Sequence, residues 1–284
     1  MKRSILISLS LIATSLLIFT GCEEEEKKLF ALNIEISGEG KVSREPYQQK
    51  YESGTKVKIT ADPIENAVIN WKFDTWDGDI TGEGNPFTVT MDEDKSIKAV
   101  FMNTHFAGGS GTESYPYEVS TLKQLQFVDL YPNAHFIQIN DIDASETENW
   151  NNGKGYRSIE NFTGTYDGAE FEITGLVIDR GTQIGIFRKI TENAHLLNIN
   201  LRDVNISGYG VTGGLVGTSG EYGNISNCYV AGNVSGEDRY IGGLVGKNYG
   251  DISNSYATAD VTGGTYPGGL VGMNMGGDIS NCHA

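Results

Sequence analysis

Gly213-Gly214-Leu215-Val216-Gly217, Gly242-Gly243-Leu244-Val245-Gly246 and Gly268-Gly269-Leu270-Val271-Gly272 repeat one pentapeptide along the last part of the chain. A second marker keeps step with it, since Ile225-Ser226-Asn227, Ile252-Ser253-Asn254 and Ile279-Ser280-Asn281 fall 27 residues apart. Gly185-Ile186-Phe187 with Asn198 is a weaker copy, 29 residues upstream. A fixed period of this length, glycine-rich and without helical periodicity, predicts stacked β coils, each burying its apolar side against the next. Glycine follows the repeat: 25 of the 37 glycines lie in residues 162–284.

The phase of the coil follows from parity. Cys228, Val230 and Val234 in one copy, and Ser255, Ala257, Ala259 and Val261 in the next, alternate with polar residues and are expected to point inward. Asn227, Asn254 and Asn281 share a corner column, where stacked amides can hydrogen-bond from coil to coil. Glycines at the other corners supply positive φ or close approach. Cys228 and Cys282 lie two coils apart, about 9.6 Å at ~4.8 Å per rung, whereas a disulfide needs Cα atoms within ~7 Å. No bridge is expected. Asp251 and Asp278 share a column with Asn224, expected to be a coil corner, with surface calcium or sugar contact as the alternative.

Residues 104–161 are expected to be a linker and cap segment. Ala107-Gly108-Gly109-Ser110-Gly111-Thr112 has a flexible composition that marks a domain boundary. Ser120 can cap a short helix over Leu122, Leu125 and Val128, followed by a strand over Phe136-Ile137-Gln138-Ile139. Such a stretch can cover the open end of the coils. The nearby pair Asp141 and Asp143 reads as a solvated turn, there being no third ligand for calcium and no partner for acid catalysis.

Residues 29–103 alternate apolar and polar positions in short runs, as in Leu32-Asn33-Ile34-Glu35-Ile36 and Ile97-Lys98-Ala99-Val100-Phe101. Turn residues such as Gly38-Glu39-Gly40 and Asp77-Gly78-Asp79 separate them, which predicts a small antiparallel β module with one buried face. Asp77-Gly78-Asp79-Ile80-Thr81-Gly82 shares letters with a calcium loop. Thr88 stands where the bidentate Glu belongs, so a hairpin turn is expected instead. Trp71 and Trp76, among strand residues, are expected in the core rather than on a sugar.

At the start, Lys2 and Arg3 precede an uncharged apolar run over residues 4–19, shorter than the ~20 residues a spanning helix needs. Residues 1–21 therefore read as a secretory signal peptide. Its loss removes two positive charges and takes the net charge from -16 to -18. Glu23-Glu24-Glu25-Glu26-Lys27-Lys28 then reads as a solvated acidic tether over residues 22–28. The acidic balance argues against a nucleic-acid partner.

Four resemblances add to this reading. Phe19-Thr20-Gly21-Cys22 resembles the lipobox of bacterial lipoproteins, which implies acylation (palmitate) at Cys22 and anchoring in a membrane, and the acidic run after it resembles the stretch that sends such lipoproteins to the outer face of the cell, which implies exposure at the outer membrane or cell surface. The ordered markers Gly38-Glu39-Gly40-Lys41-Val42, Tyr51-Glu52-Ser53-Gly54-Thr55, Trp76-Asp77-Gly78-Asp79 and Asn85-Pro86-Phe87 resemble the divergent internalin-type B repeat, which implies spacing and presentation rather than chemistry. The glycine repeat of residues 162–284 resembles the GLUG motif of bacterial adhesins and of the region before the catalytic domain in immunoglobulin-A-cleaving zinc peptidases. That resemblance implies a parallel β-helix, expected to be right-handed from crossover sterics.

The fold expected is therefore all-β, a small antiparallel module followed by a right-handed parallel β-helix. No His-Glu-x-x-His is present, and His105, His135, His195 and His283 are scattered, so the peptidase chemistry of that relative does not carry over. Gly208-Tyr209-Gly210-Val211-Thr212-Gly213 matches a dinucleotide loop by letters alone, since it leads into a strand. No catalytic residue, cofactor or metal site is expected. A non-catalytic cell-surface adhesin or binding scaffold, with a glycan or a cell-surface protein as ligand, is the function expected. The alternative is a piece of a larger surface enzyme, polysaccharide-active or peptidase, because the period after Cys282 implies a further strand and so a truncated repeat.

Overall fold

The computed structural model describes residues 27–64, 71–179, 181–191 and 193–284. Residues 1–21, read above as a signal peptide, lie outside the described residues, as do Cys22 and the four-glutamate run. Its regular structure is almost all strand, 54% of residues against 6% helix, as the alternating patterns predict.

Gly40–Glu45, Thr55–Pro63 and Phe87–Met91 form one antiparallel sheet, and Trp71–Gly78, which lies between the last two in the chain, pairs antiparallel with Lys95–Asn103 in another. Alternation decides which side is buried: Val57, Ile59 and Ala61 point inward, as do Ile97, Ala99 and Phe101. One pair departs from the antiparallel expectation, because Leu32–Ser37 runs parallel to Lys95–Asn103. These are near-terminal strands of the module, with every other strand but Leu29–Phe30 between them. Only strands joined by a tight hairpin must run antiparallel.

The glycine run expected to be flexible is instead packed. Ala107 N–H donates to Glu118 O and Glu118 N–H to Gly108 O, closing a tight pair of segments. A Cβ at Gly109 would lie 1.8 Å from Pro116 O, so glycine is needed for contact and not for mobility. Ser110 Oγ, buried, accepts from Ser37 Oγ at 2.8 Å. Trp71 meets Tyr117 across the same junction, with ring centroids 6.3 Å apart. A single apolar core therefore continues from the first module into the coils. Composition cannot separate glycine selected for freedom from glycine selected for close approach.

The cap helix spans Leu122–Phe127 and its cap is Thr121, one residue later than expected. Ser120 contributes differently, donating from N–H and Oγ to Gln124 Oε1. Leu122, Leu125 and Val128 are buried as the spacing predicts.

Four parallel sheets make the coils, about five turns in all. One sheet stacks seven strands, including Thr165–Asp167, His195–Leu197, Asn224–Ser226, Asp251–Ser253 and Ile279–Ser280. The next carries Asn200–Gly208, Tyr229–Gly236 and Tyr256–Ala257. A third stacks Ile159–Phe162, Phe187–Ile190, Val216–Ser219, Val245–Asn248 and Val271–Asn274, and a fourth stacks Gln183–Ile184, Val211–Gly213, Tyr240–Gly242 and Tyr266–Gly268. Register follows the repeat: Ile225 pairs with Ile252, and Ile252 with Ile279. The interior grades from large to small. Phe136, Phe162, Tyr166 and Phe187 fill the first coils, with Phe162 and Phe187 centroids 5.0 Å apart, and Cys228, Ser255 and Ala257 fill later ones.

The pentapeptide glycines have a steric reason. A Cβ at Gly242 would sit 2.0 Å from Val245 O, and one at Gly243 would sit 2.1 Å from Gly269 O on the next coil. Neither has a positive φ, so this corner is a close-approach corner. Positive φ occurs elsewhere in the coils, at glycines such as Gly232 and Gly263 with φ of 131° and 82°, and at the asparagine corner, where Asn198, Asn227, Asn254 and Asn281 have φ of 54°, 53°, 48° and 53°. Asparagine is among the few residues with a side chain that adopt this conformation readily.

Candidate binding face

The carboxylates singled out in the sequence serve the backbone. Asp79 accepts from Ser96 N–H at 2.6 Å and Asp77 from Gly78 N–H at 2.8 Å, which makes that loop a turn. Asp141 accepts from Glu172 N–H of the next coil, and Asp143 from Ser145 N–H, the bond that holds its carboxyl below the usual range. Asp251 accepts from Asp278 N–H at 3.2 Å, so that column is a coil corner. Among the described residues no three His, Cys, Asp or Glu side chains converge as a metal site.

The remaining expectations sort as follows. Trp76 is buried and donates from Nε1 to Gly84 O; Trp71 is buried as well. Cys228 and Cys282 are both free, and Ser255 lies between them: its Oγ accepts from Cys228 N–H, and its own N–H meets Cys282 Sγ. Burial pushes the Cys228 thiol up to about 12. Gly208 ends a strand and Val211 begins the next, so no helix follows the dinucleotide-like letters. His105 stacks on Phe127 at 4.3 Å and sits apart from the other histidines, as a packing group.

The corner ladder forms, but one coil earlier than expected. Asn227 donates to Asn198 Oδ1 at 3.2 Å, and Asn198 to Asp167 Oδ1 at 2.9 Å. Below Asn227 the link is main-chain, with Asn227 N–H to Ser253 O and Asn254 N–H to Ser280 O. A second amide link, unforeseen from the sequence, starts from a buried residue: Asn248 donates to Oδ1 of the exposed Asn274 at 3.0 Å and to Gly250 O at 2.7 Å. Its signal is the residue three after the pentapeptide valine, Ser219, then Asn248, then Asn274.

The outward side chains form columns along the stack. On one sheet Tyr229 and Tyr256 have centroids 4.5 Å apart, His283 stacks on Tyr256 at 4.8 Å, and the Arg202 guanidinium lies over Tyr229. Arg202 also pairs with Glu172, which holds its proton more firmly still. On the fourth sheet Tyr240 stacks on Tyr266 at 5.6 Å. These rings face one another along the stack, so they tie coils together more than they offer free faces.

Next to the Tyr240 column is a groove of about 580 Å³, lined by Thr182, Gln183, Lys189, Thr218, Glu221, Lys247 and Tyr249 among others. Lys189, Thr218 and Lys247 are register partners on three successive coils. Gln183 Nε2 donates to Thr218 Oγ1, leaving the Gln183 carbonyl and the Thr218 hydroxyl proton for other partners. The Lys247 ammonium lies 4.9 Å from the Tyr249 ring centroid and 5.9 Å from that of Tyr240. The sequence held this column at the second residue after each Phe187, Val216 and Val245, but a lysine on an exposed position carries no mark until its neighbours are placed.

Comparison with known proteins bears on the two repeat types. The family described as "Divergent InlB B-repeat domain" matches residues 30–105, and the one described as "The GLUG motif" matches residues 238–262 and 263–284. The chain thus carries both repeats. It is 34% identical over 170 residues to halomucin of Haloquadratum walsbyi, covering 56% of this chain and 2% of that protein. It is 38% identical over 135 residues to a protein of Evansella cellulosilytica provisionally described as a Gly-rich membrane protein, covering 44% of this chain and 15% of that one. The chain therefore spans a small part of either relative's length. A solved structure from Bacteroides ovatus, provisionally described as an immunoglobulin A1 protease, aligns with a TM-score of 0.43 at 18% identity over 63% of this chain and 77% of that chain.

Proposed function

We propose that the chain is a cell-surface lipoprotein, acylated at Cys22, that works as a non-catalytic binding scaffold of the adhesin kind. The observation that carries this reading is the set of outward columns on in-register parallel coils, with the first module fused to them through one continuous core. Such a surface repeats the same side-chain geometry every ~4.8 Å and suits an extended ligand. A second acyl chain makes membrane anchoring stable, each buried methylene contributing ~0.8 kcal/mol. The acidic run after Cys22 then acts as a tether between anchor and fold.

The test is metabolic labelling of cells with radioactive palmitate, with protease shaving of intact cells beside it. Label that depends on Cys22, and removal of the protein by external protease, are expected. Label retained in Cys22→Ala, or a protein shielded from protease on intact cells, would remove the anchoring or the exposure respectively.

A further inference from the structure

Residues 162–284 contain six basic side chains, four arginines and two lysines. Three of the arginines have carboxylate partners: Arg188 with Glu160 at 2.6 Å, Arg202 with Glu172, and Arg239 with Asp238 at 3.8 Å. Arg180 lies outside the described residues. The two lysines, Lys189 and Lys247, have no carboxylate within ion-pair distance among the described residues. They stand in one column on either side of Thr218 and line one groove. In a chain of net charge -16, the coil cations without a carboxylate partner are thus, among the described residues, gathered at a single place.

Their spacing limits the ligand. Two coils separate the ammonium groups at their roots, about 10 Å at ~4.8 Å per rung. An extended disaccharide is of comparable length. Duplex DNA carries a charge about every 1.7 Å of axis, so it would set several phosphates against Glu221 and the acidic surroundings for each lysine it met. An extended peptide adds to a sheet through free edge groups, yet the strands that carry Lys189, Thr218 and Lys247 are paired on both sides by neighbouring coils, and the one edge strand at the groove, Gln183–Ile184, is two residues long. The lining also lacks a deep apolar pit for a side-chain anchor: Val211 is its one aliphatic residue. What it offers is an amide carbonyl, hydroxyls, a carboxylate and the Tyr249 ring, all suited to sugar hydroxyls and ring faces.

We propose, building on the scaffold reading above, that the groove along Gln183, Lys189, Thr218, Glu221, Lys247 and Tyr249 binds a linear acidic polysaccharide with one carboxylate per disaccharide. Lys189 and Lys247 pair with successive carboxylates. Gln183, Thr218 and Glu221 bond the intervening hydroxyls.

The probe is a hyaluronan oligosaccharide, which carries that charge spacing, titrated into the full chain at 0.15 M salt, with polyglutamate and dextran as controls. Binding of hyaluronan alone is expected, weakened about fivefold by Lys189→Gln or Lys247→Gln and about 25-fold by the pair, and weakened again at 1 M salt. Both lysines are half-buried at the surface, so the melting curve of the double variant should match the parent and certify its fold. Equal binding of polyglutamate, equal binding by the double variant, or no hyaluronan binding would each overturn the groove assignment. The scaffold reading fails separately: protein absent from the cell surface while hyaluronan binding persists in vitro would sink that reading and leave the groove standing.

Discussion

Asn227 offers a test of why the coils turn where they do. Its φ of 53° is left-handed, and its amide donates to Asn198 Oδ1 at 3.2 Å on the coil before. Two substitutions separate these roles. Asn227→Gly keeps the left-handed backbone accessible and deletes the amide bond, while Asn227→Ala deletes the bond and adds a Cβ where left-handed backbone costs ~1–2 kcal/mol. The bond is long and exposed, so its loss is worth about 0.5 kcal/mol, the low end of the usual range. Glycine adds ~0.5 kcal/mol of unfolded-state entropy, giving about 1 kcal/mol for the glycine variant and about 2 kcal/mol for the alanine variant. Over a chain of this size that is roughly 2–4 °C and 4–8 °C in Tm. Circular dichroism of the β band is the assay, because Trp71, Trp76 and Trp150 all precede the repeated coils and fluorescence would report the wrong region. A glycine variant that melts at or below the alanine variant would refute the backbone argument and place the whole role in the amide.

Three further outcomes follow from the same geometry. Gly243→Ala should cost more than Gly84→Ala, by about 1–3 kcal/mol in urea unfolding, since a Cβ at Gly243 meets Gly269 O at 2.1 Å while one at Gly84 meets only Phe87 Cδ2 at 3.8 Å, and neither glycine has a positive φ. Cys228, fully buried with its thiol pushed up to about 12, should resist iodoacetamide at pH 8 until denaturant is added, read by peptide mass spectrometry. Burial, with Lys123 nearby, holds the His105 imidazole below its ordinary 6.5. The unfolded chain therefore binds this proton more readily than the folded one. The stabilising contribution is complete above pH 6.5 and is lost as pH falls through the folded value, so His105→Gln should flatten the pH dependence of Tm below pH 6.5.

The coils were legible because their cause is periodic. A pentapeptide and an asparagine recurring at fixed spacing constrain parity, corner and register together, and Ile225, Ile252 and Ile279 stack as that spacing requires. What was not legible lies where one residue type serves two physical ends. Glycines 108, 109 and 111 had the composition of a linker, but Gly109 is glycine because Pro116 O approaches it. The cap helix shows the same limit at finer scale: Ser120 and Thr121 are both good caps, and Thr121 takes the Gln124 N–H while Ser120 takes the Gln124 side chain. The lysine column had no local signal at all. Lys189 and Lys247 are 58 residues apart in the chain and become neighbours of one groove only after two coils are wound.

The acidic excess finally bears on how an anionic ligand can approach this molecule. Much of the excess is committed to the fold: Asp129 caps Glu160 N–H and Asp141 caps Glu172 N–H from coil to coil, while Asp94 caps Ala31 N–H in the first module. Glu160 and Glu172 in turn hold Arg188 and Arg202. Exposed pairs like these add little to stability, but they remove arginines from the free surface. At physiological ionic strength the repulsion of the distant carboxylates is screened beyond about 8 Å, whereas a carboxylate seated against Lys189 or Lys247 lies inside that length. Net charge therefore sets the long-range field and local pairing sets the contact. A densely charged chain feels both, and a polymer with sparse charge feels mainly the second. The inter-coil pairing that holds Arg188 and Arg202 leaves Lys189 and Lys247, among the described residues, as the place where such a polymer can bind.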